Sequence, residues 1–247
     1  MIEKTEAIVL ATHPFSRTSL MVSWLTRDHG RIVTPVRGAC RPKSLFLGRI
    51  DVAFRSELLF YSRDCGGVHN IRETTPLDIR EGLRDDWRAA VAASYICSLT
   101  DQSVETLLDA EGLFDDLDRA LSSLAGGTPP HDAVVAYEFD LLQRLGIRPD
   151  FTKCADCQSP DSRECRFSIP DGRLSCPLRA DFIPSRNSVA LSRETLSALR
   201  LAQGGRPASS FGPKEALAIR RFLGMFLSHH LDLPLTQRRA ALAWLDM

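Results

Sequence analysis

The sequence predicts an α+β protein: a small five-stranded barrel, then an α-helical domain that carries a zinc-finger-like cysteine loop. Three observations lead there. Short apolar runs rich in β-branched residues fill the chain to about residue 80, apolar residues recur at helical spacing from about residue 84, and four of the seven cysteines gather between Cys154 and Cys176. The expected division is therefore a barrel over 1–80 and a helical bundle over 81–247, with the cysteine loop at 151–180.

The predicted strands are TEAIVLA, SLMVSWLT, GRIVTPV, IDVAFRSELLFYS and GVHNIRE, separated by turn signals at His29-Gly30, Gly38 and Cys65-Gly66-Gly67. Five short strands suit a closed barrel, because closure removes exposed edges. Strand number alone fits an oligonucleotide-binding barrel or an SH3-like one. Thr75-Pro76 marks the expected change of class. A first helix places Trp87, Val91, Tyr95 and Leu99 four apart, with Asp85 and Asp86 at its favourable amino end. A second repeats Leu113, Leu117, Leu121 and Leu124 and stops at Gly126-Gly127. The third opens on Pro129-Pro130 and ends near Gly146, the order in which proline and glycine bracket a helix. Two more follow the cysteine segment: LSRETLSALRLA, with Ser192 as a capping residue, and PKEALAIRRFLGMFLSHHL, with Pro213 early and an apolar face at Leu217, Phe222 and Phe226. QGGRPASSFG, 203–212, reads as a mobile loop between them.

Charge balances overall, with 31 basic and 31 acidic side chains, but not locally. Between Arg17 and Arg49 stand Arg17, Arg27, Arg31, Arg37, Arg41, Lys43 and Arg49 against the single acid Asp28. Between Asp101 and Asp118 there are seven acids and no base. This asymmetry predicts two separate surfaces with different roles. The opening MIEKTEAIVLATH lacks the apolar stretch of a secretion signal, and no apolar run of membrane-spanning length follows, so a cytoplasmic location without membrane contact is expected.

In that compartment thiols stay reduced, and a cysteine cluster favours metal over disulfides. The spacing is Cys154-x2-Cys157-x7-Cys165-x10-Cys176. A CxxC pair offers two thiolates from one turn, and two further cysteines would complete a tetrahedron around Zn2+. Four thiolates leave no open position, so such a site would be structural. The segment also shows little apolar content, so a metal would supply its order. Reduced, partly buried thiols left from a decayed site are the alternative.

Signatures of enzyme chemistry are missing. There is no phosphate-binding GxxxxGKS/T, no GxGxxG, no GxSxG and no HExxH. His131-Asp132 and His229-His230 lie at helix ends, where local capping and the helix dipole account for them. The expectation is a protein that is not an enzyme. The more informative stretch is RDHGRIVTPVRGACRPKSLFLGRI, 27–50. Arg17, Arg31, Arg37, Arg41 and Lys43 on a barrel loop and its flanking strands would line a groove for a phosphate backbone, with Phe15, Phe46 and Phe54 near enough in sequence to stack on bases.

These residues resemble the bacterial RecO recombination-repair family. Thr26, His29, Gly30, Arg37, Gly38, Ala39, Arg41, Pro42, Lys43 and Ser44 match its opening pattern, and LLQRLGIRPDFTKCADC and RFSIPDGRLSCPLR match its later order. Two departures stand out. Cys40 replaces a commonly basic residue, and Arg179 stands where a second CxxC would have its last cysteine, which leaves Cys165 as the substitute ligand. The resemblance implies an oligonucleotide-binding (OB) barrel, a helical bundle and an often zinc-binding loop. It further implies a non-enzymatic mediator that binds single- and double-stranded DNA and anneals complementary strands. Its implied protein partners are the tail of single-strand-binding protein, RecR and, indirectly, RecA. Arg144, Arg148, Arg220 and Arg221 are candidates for the acidic tail by charge alone. The competing reading is a protein-interaction adaptor working through its helical domain, in which the acidic face would be the working surface and DNA contact incidental.

Overall fold

The computed structural model describes residues 1–62, 68–104, 110–155, 165–175, 188–232 and 235–245. It is α+β, with a five-stranded antiparallel sheet at the amino end and a helical region after it. Two compact units form, Met1–Ala133 with Ala243–Met247, and Val134–Leu242.

The first unit holds β1 (Ile2–Ser16), β2 (Ser19–Thr26), β3 (Gly30–Val36), β4 (Arg55–Tyr61) and β5 (Asn70–Asp78), in the order β3-β2-β1-β4-β5. β1 is long enough to pair with β4 through Ile2–Ile8 and with β2 through Ala7–Ser16. The two outer strands are then brought together. Val33 and Val68 form a parallel bridge, and the His69 amide donates to the Val33 carbonyl at 2.8 Å. Alternation explains the interior: Val22 and Trp24, Ile32 and Val36, and Leu58 and Phe60 are buried in one cluster. The Trp24 indole N–H donates to Thr34 Oγ1 at 2.9 Å, so the largest buried side chain keeps its polar atom satisfied.

Three helices complete this unit: α1 (Gly82–Asp85), α2 (Trp87–Ser103) and α3 (Ala110–Ala125). α2 packs on β1 and β2, and α3 on β2 and β3, consistent with burial of Ile8, Leu10 and Leu25 as well. The Asp86 carboxylate caps α2 by accepting from the Arg88 amide at 2.9 Å. Gly82 is required by packing, since a Cβ there would lie 2.1 Å from the Ala125 carbonyl oxygen.

Several sequence expectations shift. β5 runs past Thr75-Pro76 to Asp78, with Pro76 opposite Ser56 at a register irregularity where a missing N–H is tolerated. The buried face of α2 keeps the expected Tyr95 and Leu99 and adds Ala89, Ala92, Ala93, Ile96, Cys97 and Thr100, whereas the expected anchor Trp87 is exposed and lies under the Arg88 guanidinium at 4.6 Å.

The second unit contains most of α4 (Pro130–Arg144), then β6 (Asp150–Cys154), β7 (Cys165–Ser168), β8 (Arg173–Ser175), β9 (Ser188–Leu191), α5 (Arg193–Gln203), α6 (Pro213–His230) and most of α7 (Leu235–Leu245). Ser192 caps α5 as expected, its hydroxyl accepting from the Thr195 amide at 3.2 Å. Much of the expected zinc-finger-like loop, 156–164 and 176–180, lies outside the described residues, and its described parts hold strands. They form a sheet in the order β6-β8-β7-β9. Phe151, Phe167, Ile169, Leu174 and Leu191 enter the main core of the unit. Ring centroids of Phe151, Phe167 and Phe222 lie 4.9 to 5.2 Å apart. The described strands of the segment thus enter an apolar core, more than the low apolar content of its sequence suggests. The 203–212 stretch, expected to be a mobile loop, contains a 3-10 turn at Ala208–Ser210 with Ala208 buried. α6 closes on its histidine pair, with His230 Nε2 2.8 Å from the Ile169 carbonyl and its ring 4.2 Å from Phe226.

Candidate nucleic-acid interface

Arg17 sits in the two-residue turn between β1 and β2, and Arg37, Arg41 and Lys43 lie in the connection that leaves β3. Two hydrogen bonds bring these segments together. The Cys40 amide donates to the Thr18 carbonyl at 3.1 Å, and the Gly38 amide donates to Ser19 Oγ at 3.2 Å. The connection itself is a succession of tight turns, with Arg41 N donating to Gly38 O at 3.1 Å and Ser44 N to Arg41 O at 3.0 Å. Gly38 makes the first turn possible. Its φ is +70°, and a Cβ there would come within 3.3 Å of Arg41 Cδ. Ala39 is buried beneath the loop, while Arg17, Arg37, Arg41 and Lys43 are all exposed. The result is a cluster of four cations at one end of the sheet, on backbone fixed by internal bonds. Such a surface can neutralise phosphates without base-specific contacts.

Arg31 has a different surrounding from the other four. Its Nε donates to Asp101 Oδ1 on α2 at 2.7 Å, and Ser23 Oγ donates to the same carboxylate oxygen. It belongs to a row of arginines that face the helices. Arg27 Nη1 reaches Asp115 Oδ1 at 2.7 Å, with its guanidinium over the Phe114 ring at 4.3 Å. Arg55 Nη1 reaches Asp118 Oδ2 at 2.9 Å. Arg80, whose side chain is fully buried, donates to Asp118 Oδ1 at 2.6 Å, to Ser122 Oγ at 3.0 Å and to the Ala53 carbonyl at 2.8 Å. Burial would lower the pKa of Arg27, but the hydrogen bond and charge of Asp115, helped by Glu6, outweigh it and hold the group above its ordinary value. The expectation of two separate charged surfaces is therefore corrected in part. Asp101 and Asp115 are the counter-ions of Arg31 and Arg27 from the basic run, and Asp118 of Arg55 and Arg80 outside it, while Arg17, Arg37, Arg41 and Lys43 stay exposed.

The family model described as Recombination protein O C terminal matches residues 84–239, and the one described as Recombination protein O N terminal matches residues 1–80. The chain belongs to the RecO family. It is 28% identical over 203 residues to the DNA repair protein RecO of Bacillus subtilis (strain 168), which covers 81% of this chain and 77% of that protein. The DNA repair protein RecO of Alkaliphilus metalliredigens (strain QYMF) is 28% identical over 178 residues, 71% of each chain. That of Bacillus mycoides (strain KBAB4) is 27% identical over 186 residues, 75% of this chain and 74% of the relative. The RecO resemblance carried by RGACRPKS and LGIRPDFTKCADC thus stands as family membership.

Of the four cysteines expected to hold zinc, Cys154 and Cys165 are described and both are buried, the second within the apolar core of its unit. Cys157 and Cys176 lie outside the described residues, as does Arg179. Among the described residues no group of three or more His, Cys, Asp or Glu side chains could hold a metal. Of the arginines singled out for an acidic tail, Arg144 and Arg221 are exposed, Arg148 donates to Gln143 Oε1 at 2.8 Å, and the Arg220 carbonyl accepts from Arg238 at 2.8 Å. Among the described residues no helix is long and apolar enough to cross a membrane. Arg80 was missed by sequence reasoning. Its signal lies outside the basic run, in an arginine beside the strand's last residues whose φ of +52° turns the chain toward α1.

Proposed function

We propose that this RecO protein is a non-enzymatic mediator of DNA repair that binds single- and double-stranded DNA through the cationic end of its β-sheet. On this reading it anneals complementary strands and, with RecR, helps load RecA onto DNA coated by single-strand-binding protein, whose acidic tail it also contacts. The observation that carries the reading is the joining of the Arg17 turn to the Arg37–Lys43 connection by the Cys40–Thr18 and Gly38–Ser19 hydrogen bonds. Annealing needs a surface that screens two phosphate backbones and uses no nucleotide energy, and a fixed cluster of exposed cations meets that need. The strand order β3-β2-β1-β4-β5, with a parallel bridge from Val33 to Val68, supports an OB barrel as the platform.

The test is fluorescence anisotropy of labelled single- and double-stranded DNA across a salt series. Replacing Arg37, Arg41 and Lys43 together by alanine should weaken both by about tenfold or more and flatten the single-strand salt slope by about 2. Unchanged affinity and slope would remove this surface from the function.

We also propose that Cys154, Cys157, Cys165 and Cys176 hold one structural Zn2+. CxxC spacing and the burial of both described thiols support it. Metal analysis of the purified chain should find about one zinc per chain, lost on replacing Cys154 and Cys157. A metal-free chain with unaltered melting would exclude the site.

A further inference from the structure

The connection after β3 continues past Lys43 into Leu45 and Leu47, which are 80% and 58% exposed. They are two of the most exposed large apolar side chains among the described residues, and they sit in a loop that is otherwise cationic. They are not a result of loose backbone. Leu47 N donates to Ser44 O at 3.3 Å, Arg49 N to Phe46 O at 3.1 Å, and Phe46 N to Ser44 Oγ at 3.2 Å. The residues between and beyond the leucines hold the loop down, because Phe46 and Ile50 pack against the apolar core of the sheet. Arg49 reaches across to the Thr74 carbonyl at 3.4 Å. Phe46, expected as a stacking platform, is thus half-buried as an anchor, and its two neighbours point outward instead.

The exposed charged and large apolar side chains of this stretch then read in a definite order: Arg41, Lys43, Leu45, Leu47, Arg49. Two apolar side chains stand between cations on either side, and no Asp or Glu occurs from Gly30 to Ile50. An acidic or hydrophobic peptide would satisfy one half of that pattern. A strand of nucleic acid satisfies both, since it offers anionic phosphates and apolar base faces in the same molecule. In a duplex those faces are stacked and closed, and an apolar wedge reaches them only by paying for unstacking. In an unpaired strand they are open.

We infer that Leu45 and Leu47 form an apolar base-contact site for unpaired DNA within the cationic surface, and that they set its preference for single strands over duplex. The inference rests on the proposed DNA-binding reading and adds a division of labour to it. Arg37, Arg41 and Lys43 hold phosphates of either form, and the leucines add contacts that only open bases can make.

The experiment is the double variant Leu45→Ala/Leu47→Ala, titrated by anisotropy with single-stranded DNA and with duplex of the same sequence. Both side chains are largely in solvent, so the melting temperature should stay that of the parent. Affinity for the single strand should fall by about tenfold, duplex affinity should stay constant, and the salt slope should not change because no charge is removed. A Leu45→Trp variant gives a direct readout, and its added fluorescence should be quenched by single-stranded DNA and not by duplex. Equal loss on both forms, or no loss on either while the Arg37/Arg41/Lys43 variant is impaired, would overturn the leucine assignment and leave the DNA-binding reading standing. Parent protein that binds no DNA would remove both. Leucine variants that only abolish self-association of the chain would overturn the assignment in favour of a contact between copies.

Discussion

The two sets of arginines in the first unit differ in what faces them, not in how they look in sequence. Arg27, Arg31, Arg55 and Arg80 meet Asp101, Asp115 and Asp118 on α2 and α3. Arg17, Arg37, Arg41 and Lys43 stand exposed at the end of the sheet where the β1–β2 turn and the β3 exit are tied together. One set cements helices to strands; the other stays at the surface. A local excess of basic residues is therefore a poor guide to binding until the acids elsewhere in the chain have been placed. Here Asp101, Asp115 and Asp118 select which bases remain available.

The widest separation between these regions should appear in thiol chemistry. Cys40 is exposed between Arg37 and Arg41, whereas Cys97 is fully buried near Arg80. Burial pushes the Cys97 thiol up to about 12, with the Arg80 charge only partly opposing it. At neutral pH that group is a protonated thiol shielded from solvent, and it reacts only when the unit opens. Native-state alkylation followed by peptide mass spectrometry should label Cys40 at least about a thousandfold faster than Cys97. Single-stranded DNA should slow Cys40 and leave Cys97 untouched. Rapid labelling of Cys97 would mean that α2 is not docked on the sheet as described.

The next largest effect concerns stability. Arg80→Ala leaves the Ala53 carbonyl and Asp118 without a partner that is itself fully buried, and should lower unfolding stability by about 3 kcal/mol or more in a denaturant titration. The folded fraction should bind DNA with the salt slope of the parent. The exposed Arg37/Arg41/Lys43 variant should show the reverse, impaired binding with stability within about 0.5 kcal/mol. If both variants lost both properties, the division between cementing and binding arginines would collapse.

The fold class was legible because its signals are local. Alternation at Val22 and Trp24 and at Leu58 and Phe60 marks strands by itself, and the Pro130 start and Ser192 cap mark helices. The strands around the cysteine segment are hard to read because their apolar residues are sparse and unevenly spaced. Phe151, Phe167 and Leu174 become a core only when β6, β8 and β7 align them. The α2 face is legible only in part for a related reason: Tyr95 and Leu99 are buried as expected, but the buried alanines at 89, 92 and 93 carry little hydrophobic signal and Trp87 carries a strong one while exposed. Arg17, Arg37, Arg41 and Lys43, singled out by their charge, are exposed together at one end of the sheet. Arg31 was grouped with them because nothing local in its sequence points to an aspartate 70 positions away.

That grouping is open to the finest test of the comparison. The Arg31 side chain is 27% exposed and Asp101 16% exposed, so their pair sits between a solvated ion pair and the buried one at Arg80. Arg31→Ala should therefore cost about 1 kcal/mol of stability, well below the Arg80 variant, and leave DNA affinity and salt slope unchanged. The double variant Arg31→Ala/Asp101→Ala should lose less stability than the two single variants added together, because each single change strands the other charge. A drop in DNA affinity for Arg31→Ala equal to that of Arg41→Ala would mean that phosphate competes with Asp101 for the same guanidinium. The helix-facing row would then be a second DNA surface held shut by its own acids, and the line between the two sets of arginines would have to be redrawn at Arg27.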